Sequence, residues 1–298
     1  MSFFLAAVCT AKVVTALAGA LREHYVFADA GSRMAASIEA KQASYAALDD
    51  AALAAALTRD LREASGDAHL QVAAPAPPKS SGAPGSPQPR DRNFGFRRVE
   101  VLPGNIGYLD LREFDRPGGA VKEKAAAAFE LLKDSDALII DLRANGGGNP
   151  DMVALISAYV LDKPTLLAEM HHRESGVEPI RSPERPPNAV RSGIPLVLLT
   201  SHDTFSAGEG FAFILQHLGR ATVVGERTAG AAHAGRSYPL ACGFEATIPN
   251  TSVVLPGTQS DWEGRGVTPD VPAESSRALD VAVALARERV CAAAPLTR

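Results

Sequence analysis

The feature that most constrains this chain is a run of apolar strands separated by helical patterns, beginning near residue 97. Candidate strands are Ile106–Leu111, Ala137–Leu142, Leu166–His171, Ile194–Thr200 and Thr222–Val224. Between them lie helical patterns over Gly119–Leu132, Pro150–Leu161 and Ser206–Leu218. A continuously apolar strand must be covered on both faces, and parallel neighbours need a crossover, which helices supply. The alternation therefore predicts an α/β layer with a mostly parallel sheet. After residue 236 the pattern is one of short strands, and a last helix is predicted over Ser275–Arg289.

The first 70 residues are different. They contain no proline, and apolar residues recur at helical spacing: Val13, Leu17 and Leu21, then Met34 and Ile38, then Leu53, Leu57 and Leu61. That spacing puts each set on one helix face, so the segment reads as a small helical bundle with Asp49 and Asp50 placed to cap its third helix. Residues 73–93 are rich in Pro, Gly and Ser and cannot bury a core. The expected organisation is a helical domain over 1–72, a linker over 73–96 and an α/β core over 97–298.

Composition narrows the function classes. Hydrophobic residues make up 46 % and the formal net charge is −4, with no basic run, so a soluble fold is expected and nucleic acid is not an expected partner. No G-K-[ST] or G-x-G-x-x-G element is present, so no nucleotide cofactor is expected. Cys9, Cys242 and Cys291 are odd in number, widely spaced and free of any C-x-x-C pair. They read as neither a disulfide framework nor a metal site. The apolar start lacks a preceding positive region and a small-residue cleavage site. No apolar stretch reaches the roughly 18 residues that a membrane span needs. The cytoplasm is the expected compartment, with periplasm or export as the alternative. Oligomeric state is left open.

Two segments carry chemistry. In IPLVLLTSHDTFSAGEGFAFILQHL an apolar strand ends at Thr200, a polar turn follows, and a helix begins at Ser206. A serine there lies at the positive end of a helix dipole, where backbone N–H groups stabilise a developing oxyanion. The same spacing, Ser206-Ala-Gly-Glu209, is also a capping box, and on this feature alone a helix cap is the commoner reading. In ALIIDLRANGGGNPDMVALI, Asn145-Gly-Gly-Gly148 lies at the carboxyl end of a buried strand, where open α/β sheets bind ligands. Adjacent glycines let a backbone N–H face a site with no side chain in the way. A plain turn is the competing reading.

Taken together, four motifs resemble those of the tail-specific, or C-terminal processing, serine peptidases. They are Asp141-Leu-Arg-Ala-Asn-Gly-Gly-Gly148, Thr204-Phe-Ser-Ala-Gly-Glu209, Gly225-Glu-Arg-Thr-Ala-Gly230 and Glu263-Gly-Arg-Gly-Val-Thr-Pro-Asp270. The helical start, ending in Gly66-Asp-Ala-His-Leu-Gln-Val72, is similar to the branch that contains the interphotoreceptor retinoid-binding protein modules. The resemblance implies an α/β, crotonase-like (ββα) spiral core behind a small helical domain. It also implies serine-peptidase activity on a peptide or protein substrate.

The chain departs from the family pattern in two places. Many relatives carry a PDZ domain between the D-x-H segment and the core, whereas here only the Pro-rich stretch fills that interval. Many use a lysine base soon after G-E-x-T-x-G. This chain has Ala231 and Ala232 there and no lysine after Lys163.

Other relatives use a histidine in D-x-H and a glutamate a little under sixty residues after the serine. By that resemblance Ser206 is the nucleophile, His69 the base and Glu263, 57 residues on, the orienting carboxylate. Gly146 or Gly147, with the N–H of Ala207, are the expected oxyanion donors, and His233 is the alternative base. The rival reading is a non-proteolytic carrier of a retinoid or fatty acid on the same fold. An acyl-handling enzyme ranks third. Neither a cofactor nor a metal is implied.

Overall fold

The computed structural model describes residues 3–76 and 89–293. Helices α1 (Phe3–His24), α2 (Ala28–Ala40), α3 (Gln42–Tyr45) and α4 (Asp50–Ser65) open the chain, followed by β1 (Gln71–Ala73). Residues 77–88 of the Pro-rich stretch lie outside the described residues, and Pro89–Gly95 is a 3₁₀ turn. Then come β2 (Phe96–Leu102), β3 (Ile106–Leu111), α5 (Gly119–Leu132), β4 (Ala137–Asp141), α6 (Pro150–Val160), β5 (Leu166–His172) and β6 (Gly176–Arg181). The remainder is β7 (Leu196–Thr200), α7 (Ala207–His217), β8 (Thr222–Gly225), β9 (His233–Pro239), β10 (Glu245–Val254), β11 (Val271–Pro272) and α8 (Ala278–Ala293). No helix among the described residues is long and apolar enough to cross a membrane.

The chain divides into two compact units. The first comprises residues 1–84, 170–178 and 233–254, and the second comprises 85–169, 179–232 and 255–298.

In the first unit the predicted helical stripes are the core. Val13, Leu17 and Leu21 of α1, Met34 and Ile38 of α2, and Leu53, Leu57 and Leu61 of α4 all pack with Phe244, Ala246 and Ile248 around the start of β10. Asp49 caps α4 by accepting from the Ala52 N–H at 2.8 Å, which satisfies one of the orphan donors of the first turn. β1 and β9 both pair antiparallel with β10.

The first unit also corrects one expectation. Cys9 and Cys242 form a disulfide, with Cα atoms 6.2 Å apart, although 233 residues separate them. Sequence spacing carried no trace of this bond. The pairing follows from packing: α1, which carries Cys9, lies against the turn that holds Cys242 and against β10. Cys291 is free.

The second unit holds a six-stranded sheet in the order β11-β8-β7-β4-β3-β2. All its pairings are parallel except β2 with β3. β4 and β7 are buried along their whole length, as the continuous apolar runs require. Ile139, Val197, Leu199 and Val224 face Ala278, Ala282 and Ala286 of α8. The small alanines let that helix lie close to the sheet. Leu138, Ile140 and Leu198, which point to the opposite face, are equally buried. The carboxyl ends of β4 and β7 therefore leave a well-packed layer, and the turns that follow them are held on rigid supports.

Candidate active site

Two turns meet at that edge of the second unit. After β7, Thr204 is fully buried, and its hydroxyl donates to the Leu142 carbonyl at 2.8 Å while accepting from the Ser201 N–H at 2.9 Å. The Phe205 N–H donates to the Asn145 carbonyl at 2.9 Å. These bonds tie the turn after β7 to the turn after β4 and leave the chain one residue in which to change direction into α7. That residue is Ser206. Its backbone sits at φ 51°, ψ −118°, outside every region that a residue with a side chain adopts freely. Such strain persists only where the surroundings enforce it.

Glu209 adds a further constraint. Its carboxylate is fully buried and accepts four bonds: from the Ser206 N–H (2.8 Å), the Ala231 N–H (2.9 Å), the Gly230 N–H (2.6 Å) and the Thr228 hydroxyl (2.6 Å). Burial pushes this carboxyl above the usual range, and the four donors oppose it. The S-x-x-E spacing marks a capping box; the structure adds that the same glutamate holds the Gly225–Gly230 motif against the serine turn. Sequence reasoning missed that second task, for which the only signal was an acidic residue inside an otherwise apolar helix.

The glycine turn comes next to Ser206. Gly147 has φ 98°, and a Cβ placed on it would come within 2.8 Å of the Ser206 Cβ. Only glycine allows this approach. Asn145 locks the turn. It is fully buried, donates through Nδ2 to the Leu111 carbonyl at 2.8 Å and accepts the Gly147 N–H on Oδ1 at 2.9 Å. Its side chain also lies where a Cβ on Gly208 would be, 2.6 Å from Oδ1, so α7 needs glycine there as well. The Gly146 N–H is bonded to the Arg112 carbonyl at 3.1 Å. Below the turn, Arg143 clasps Asp141 through Nε (2.9 Å) and Nη2 (2.5 Å), and the Tyr108 hydroxyl adds a bond at 2.7 Å. Burial raises the Asp141 carboxyl, but these bonds outweigh it and hold it below the ordinary range.

Glu263 follows Trp262, whose indole N–H donates to the Ala231 carbonyl at 2.9 Å and whose ring packs over Gly210 of α7. Glu263 Oε2 accepts the Ala232 N–H at 2.5 Å, and the Gly264 N–H donates to the Gly230 carbonyl at 2.9 Å. The loop carrying Glu263 is thus stitched to the loop that Glu209 anchors. Ser206, Ala207, Gly146, Gly147 and Glu263 all belong to the second unit, while His69 and His233 belong to the first.

His69 follows α4 and is half-buried. Burial is the main influence on its imidazole and lowers its proton affinity. Asp67 opposes this, while His233 and Arg62 add to it, and the net direction is down. That direction favours the neutral ring, the form a general base needs. His233, at the start of β9, is only 4 % exposed.

Known proteins match this architecture. Residues 105–273 match Peptidase family S41, and residues 8–96 match the N-terminal domain of that family in eukaryotic IRBP. The chain belongs to peptidase family S41. A C-terminal processing peptidase of the chloroplast of Tetradesmus obliquus is 29 % identical over 167 residues, which are 56 % of this chain and 34 % of that protein. A carboxyl-terminal-processing protease of Picosynechococcus is 30 % identical over 57 % of this chain and 40 % of its own length. The chain thus spans well under half of these relatives.

Among solved structures, a peptidase-like protein from Parabacteroides merdae superposes with a TM-score of 0.64 at 20 % identity, over 93 % of this chain and 96 % of that one. A lipoprotein from Streptococcus agalactiae does so at 0.61 and 16 %. These two likenesses extend over both the helical start and the α/β core, and the α/β fold class expected from the sequence is the one observed.

Proposed function

We propose that this S41 chain is a serine peptidase that cleaves peptide bonds through an acyl-enzyme on Ser206. The observation that carries the reading is the backbone of Ser206, forced to φ 51°, ψ −118° at a strand-to-helix turn. A serine that merely caps a helix has no need of such strain.

In the proposed reaction His69 takes the Ser206 hydroxyl proton as the oxygen attacks the scissile carbonyl. Glu263 orients the imidazole and stabilises the imidazolium. The Ala207 N–H, at the start of α7, and the Gly147 N–H receive the oxyanion. In the free protein the Gly147 N–H rests on Asn145 Oδ1, which the substrate oxygen would share or replace. The Gly146 N–H is engaged in the same way, on the Arg112 carbonyl at 3.1 Å; Gly147 is the preferred donor because it is the glycine that lies directly against Ser206. His69 then returns the proton to the leaving amine, and water, deprotonated by the same imidazole, releases the acyl group.

Treatment with a fluorophosphonate, followed by mass spectrometry of the adduct, tests this reading. Labelling is expected at Ser206, absent in Ser206→Ala and strongly slowed in His69→Ala and Glu263→Gln. Full-rate labelling of His69→Ala would remove His69 from the mechanism and promote His233. We also infer an oxidising compartment, and hence the exported rather than the cytoplasmic location, because the Cys9–Cys242 bond is of a kind that the cytosol keeps reduced.

A further inference from the structure

Asp67 and His233 form a closed pair that the mechanism above does not use. Asp67 is 1 % exposed and His233 is 4 % exposed. His233 Nδ1 lies 2.7 Å from Asp67 Oδ2. The Tyr25 hydroxyl donates to the same oxygen at 3.0 Å, and the His69 backbone N–H donates to Oδ1 at 2.9 Å. The Phe27 ring closes over His233 edge-on, with centroids 5.4 Å apart. The end of α1, the turn after α4 and the start of β9 are thereby joined on one carboxylate, all within the first unit.

A carboxylate this deeply buried needs a counter-charge. Tyr25 and the His69 N–H are neutral donors; of the described groups bonded to Asp67, His233 is the one that can carry a positive charge. Burial raises the Asp67 carboxyl, yet the bond and charge of His233 lead the influences that bring it below its ordinary range. Asp67 is only two residues from His69, and an uncompensated negative charge at that range draws a proton onto a neighbouring imidazole. A protonated His69 could not accept the proton of a serine.

We propose that Asp67 and His233, paired as carboxylate and imidazolium, are positioning residues that fix the backbone at His69 and keep its ring neutral at working pH. The inference rests on the reading of His69 as the base. Among the described residues, Asp67, His233 and Arg62 bear on the His69 imidazole, Tyr25 acts through Asp67, and Glu263 enters in the orienting role proposed above. His233 is thus assigned a place behind the base instead of the base's own role. Its buried ring, against the half-buried ring of His69, fits that assignment.

The test uses the full chain and two readouts. In His233→Gln the amide still donates to Asp67 but the positive charge is gone. The midpoint of the His69 titration, followed by NMR of the imidazole carbons, is expected to rise by about one pH unit. The acid limb of fluorophosphonate labelling at Ser206 should rise with it, so that labelling falls about fivefold at pH 6 and less than about twofold at pH 8. Equal slowing at every pH with an unmoved midpoint would overturn the proposal, because a merely structural pair predicts that result.

If the wild type is not labelled at all, the nucleophile reading fails while the NMR midpoint still decides this one. A midpoint that moves without the labelling profile following it would uphold the pair's control of His69 and dismiss His69 as the base. Should His233→Gln not fold, nitrogen shifts of the wild-type imidazoles decide instead. Both ring nitrogens of His233 are expected to be protonated at pH 7, and a neutral His233 would overturn the proposal.

Discussion

Glu209 and Gly147 show how much of the candidate site depends on single residues other than the proposed nucleophile, base and orienting carboxylate. The Glu209 carboxylate is acceptor-only and faces four donors. In Glu209→Gln one terminal atom becomes an NH₂ and must face a donor, whichever way the amide turns. At least one buried N–H then loses its partner, a loss of about 1–3 kcal/mol. The variant is expected to remain folded with a lower urea midpoint, and labelling of Ser206 should fall along with stability because the strained turn loses its anchor. Unchanged stability would show that the carboxyl is already protonated in the native protein. Gly147→Ala makes a sharper case. Its φ of 98° and the 2.8 Å approach to Ser206 mean that any methyl group displaces the serine turn or the glycine turn. If Gly147 donates to the oxyanion, the loss amounts to about 3 kcal/mol of transition-state stabilisation. Labelling should therefore slow by two orders of magnitude or so, and the melting temperature should fall as well, because a residue with a side chain is strained at that φ. A fast-labelling Gly147→Ala protein would take Gly147 out of the oxyanion site.

Elements differ in how openly the sequence declared them. The helix expected over Gly119–Leu132 and the strands over Ile106–Leu111 and Ala137–Leu142 appear with those bounds or within one residue of them. Their signal is a local period imposed by burial. The turns after β4 and β7 were also legible as turns, because Gly-Gly-Gly and S-x-x-E mark where a backbone needs unusual freedom or an unpaired N–H needs a partner. The strain at Ser206 was not legible, since it arises from Thr204, Asn145 and Glu209 acting together. Long-range pairs were beyond reach for the same reason: 166 residues separate Asp67 from His233, and no period connects them.

The disulfide is the plainest such case and leads to a prediction at this scale. It ties α1 to the turn before β10, and a bond that closes so long a loop typically contributes about 2–5 kcal/mol, whether through chain entropy or through other effects on the unfolded state. Reduction, or a Cys9→Ser, Cys242→Ser double variant, should lower the unfolding midpoint accordingly. Alkylation of denatured but unreduced protein should mark Cys291 alone. Marking of all three cysteines would show that the bond does not form.

At the scale of the whole molecule, buried ionisable groups set how the fold responds to acid. Asp67 and Asp141 are both held below their ordinary values. A carboxyl with a depressed folded value stabilises the fold fully above the unfolded value, about 3.9, and that contribution disappears as pH falls through the folded value. His69 is depressed as well, and for a base the sense of titration differs. The unfolded chain takes up a proton near pH 6.5 that the folded imidazole resists, so stability drains away as pH falls from about 7 toward 5. Glu209 works against the trend, because its raised carboxyl is relieved on protonation. The melting temperature should therefore decline in two stages, one between about pH 7 and 5 and a steeper one below about pH 4. His69→Gln should flatten the first stage and leave the second. Asp141→Asn should start from a lower plateau, since Arg143 loses its partner, and should show a shallower second stage. Melts of the three proteins across pH 3–8 separate these effects. A first stage unchanged in His69→Gln would mean that the imidazole is not held neutral by its surroundings, which would remove the physical basis for its service as the base.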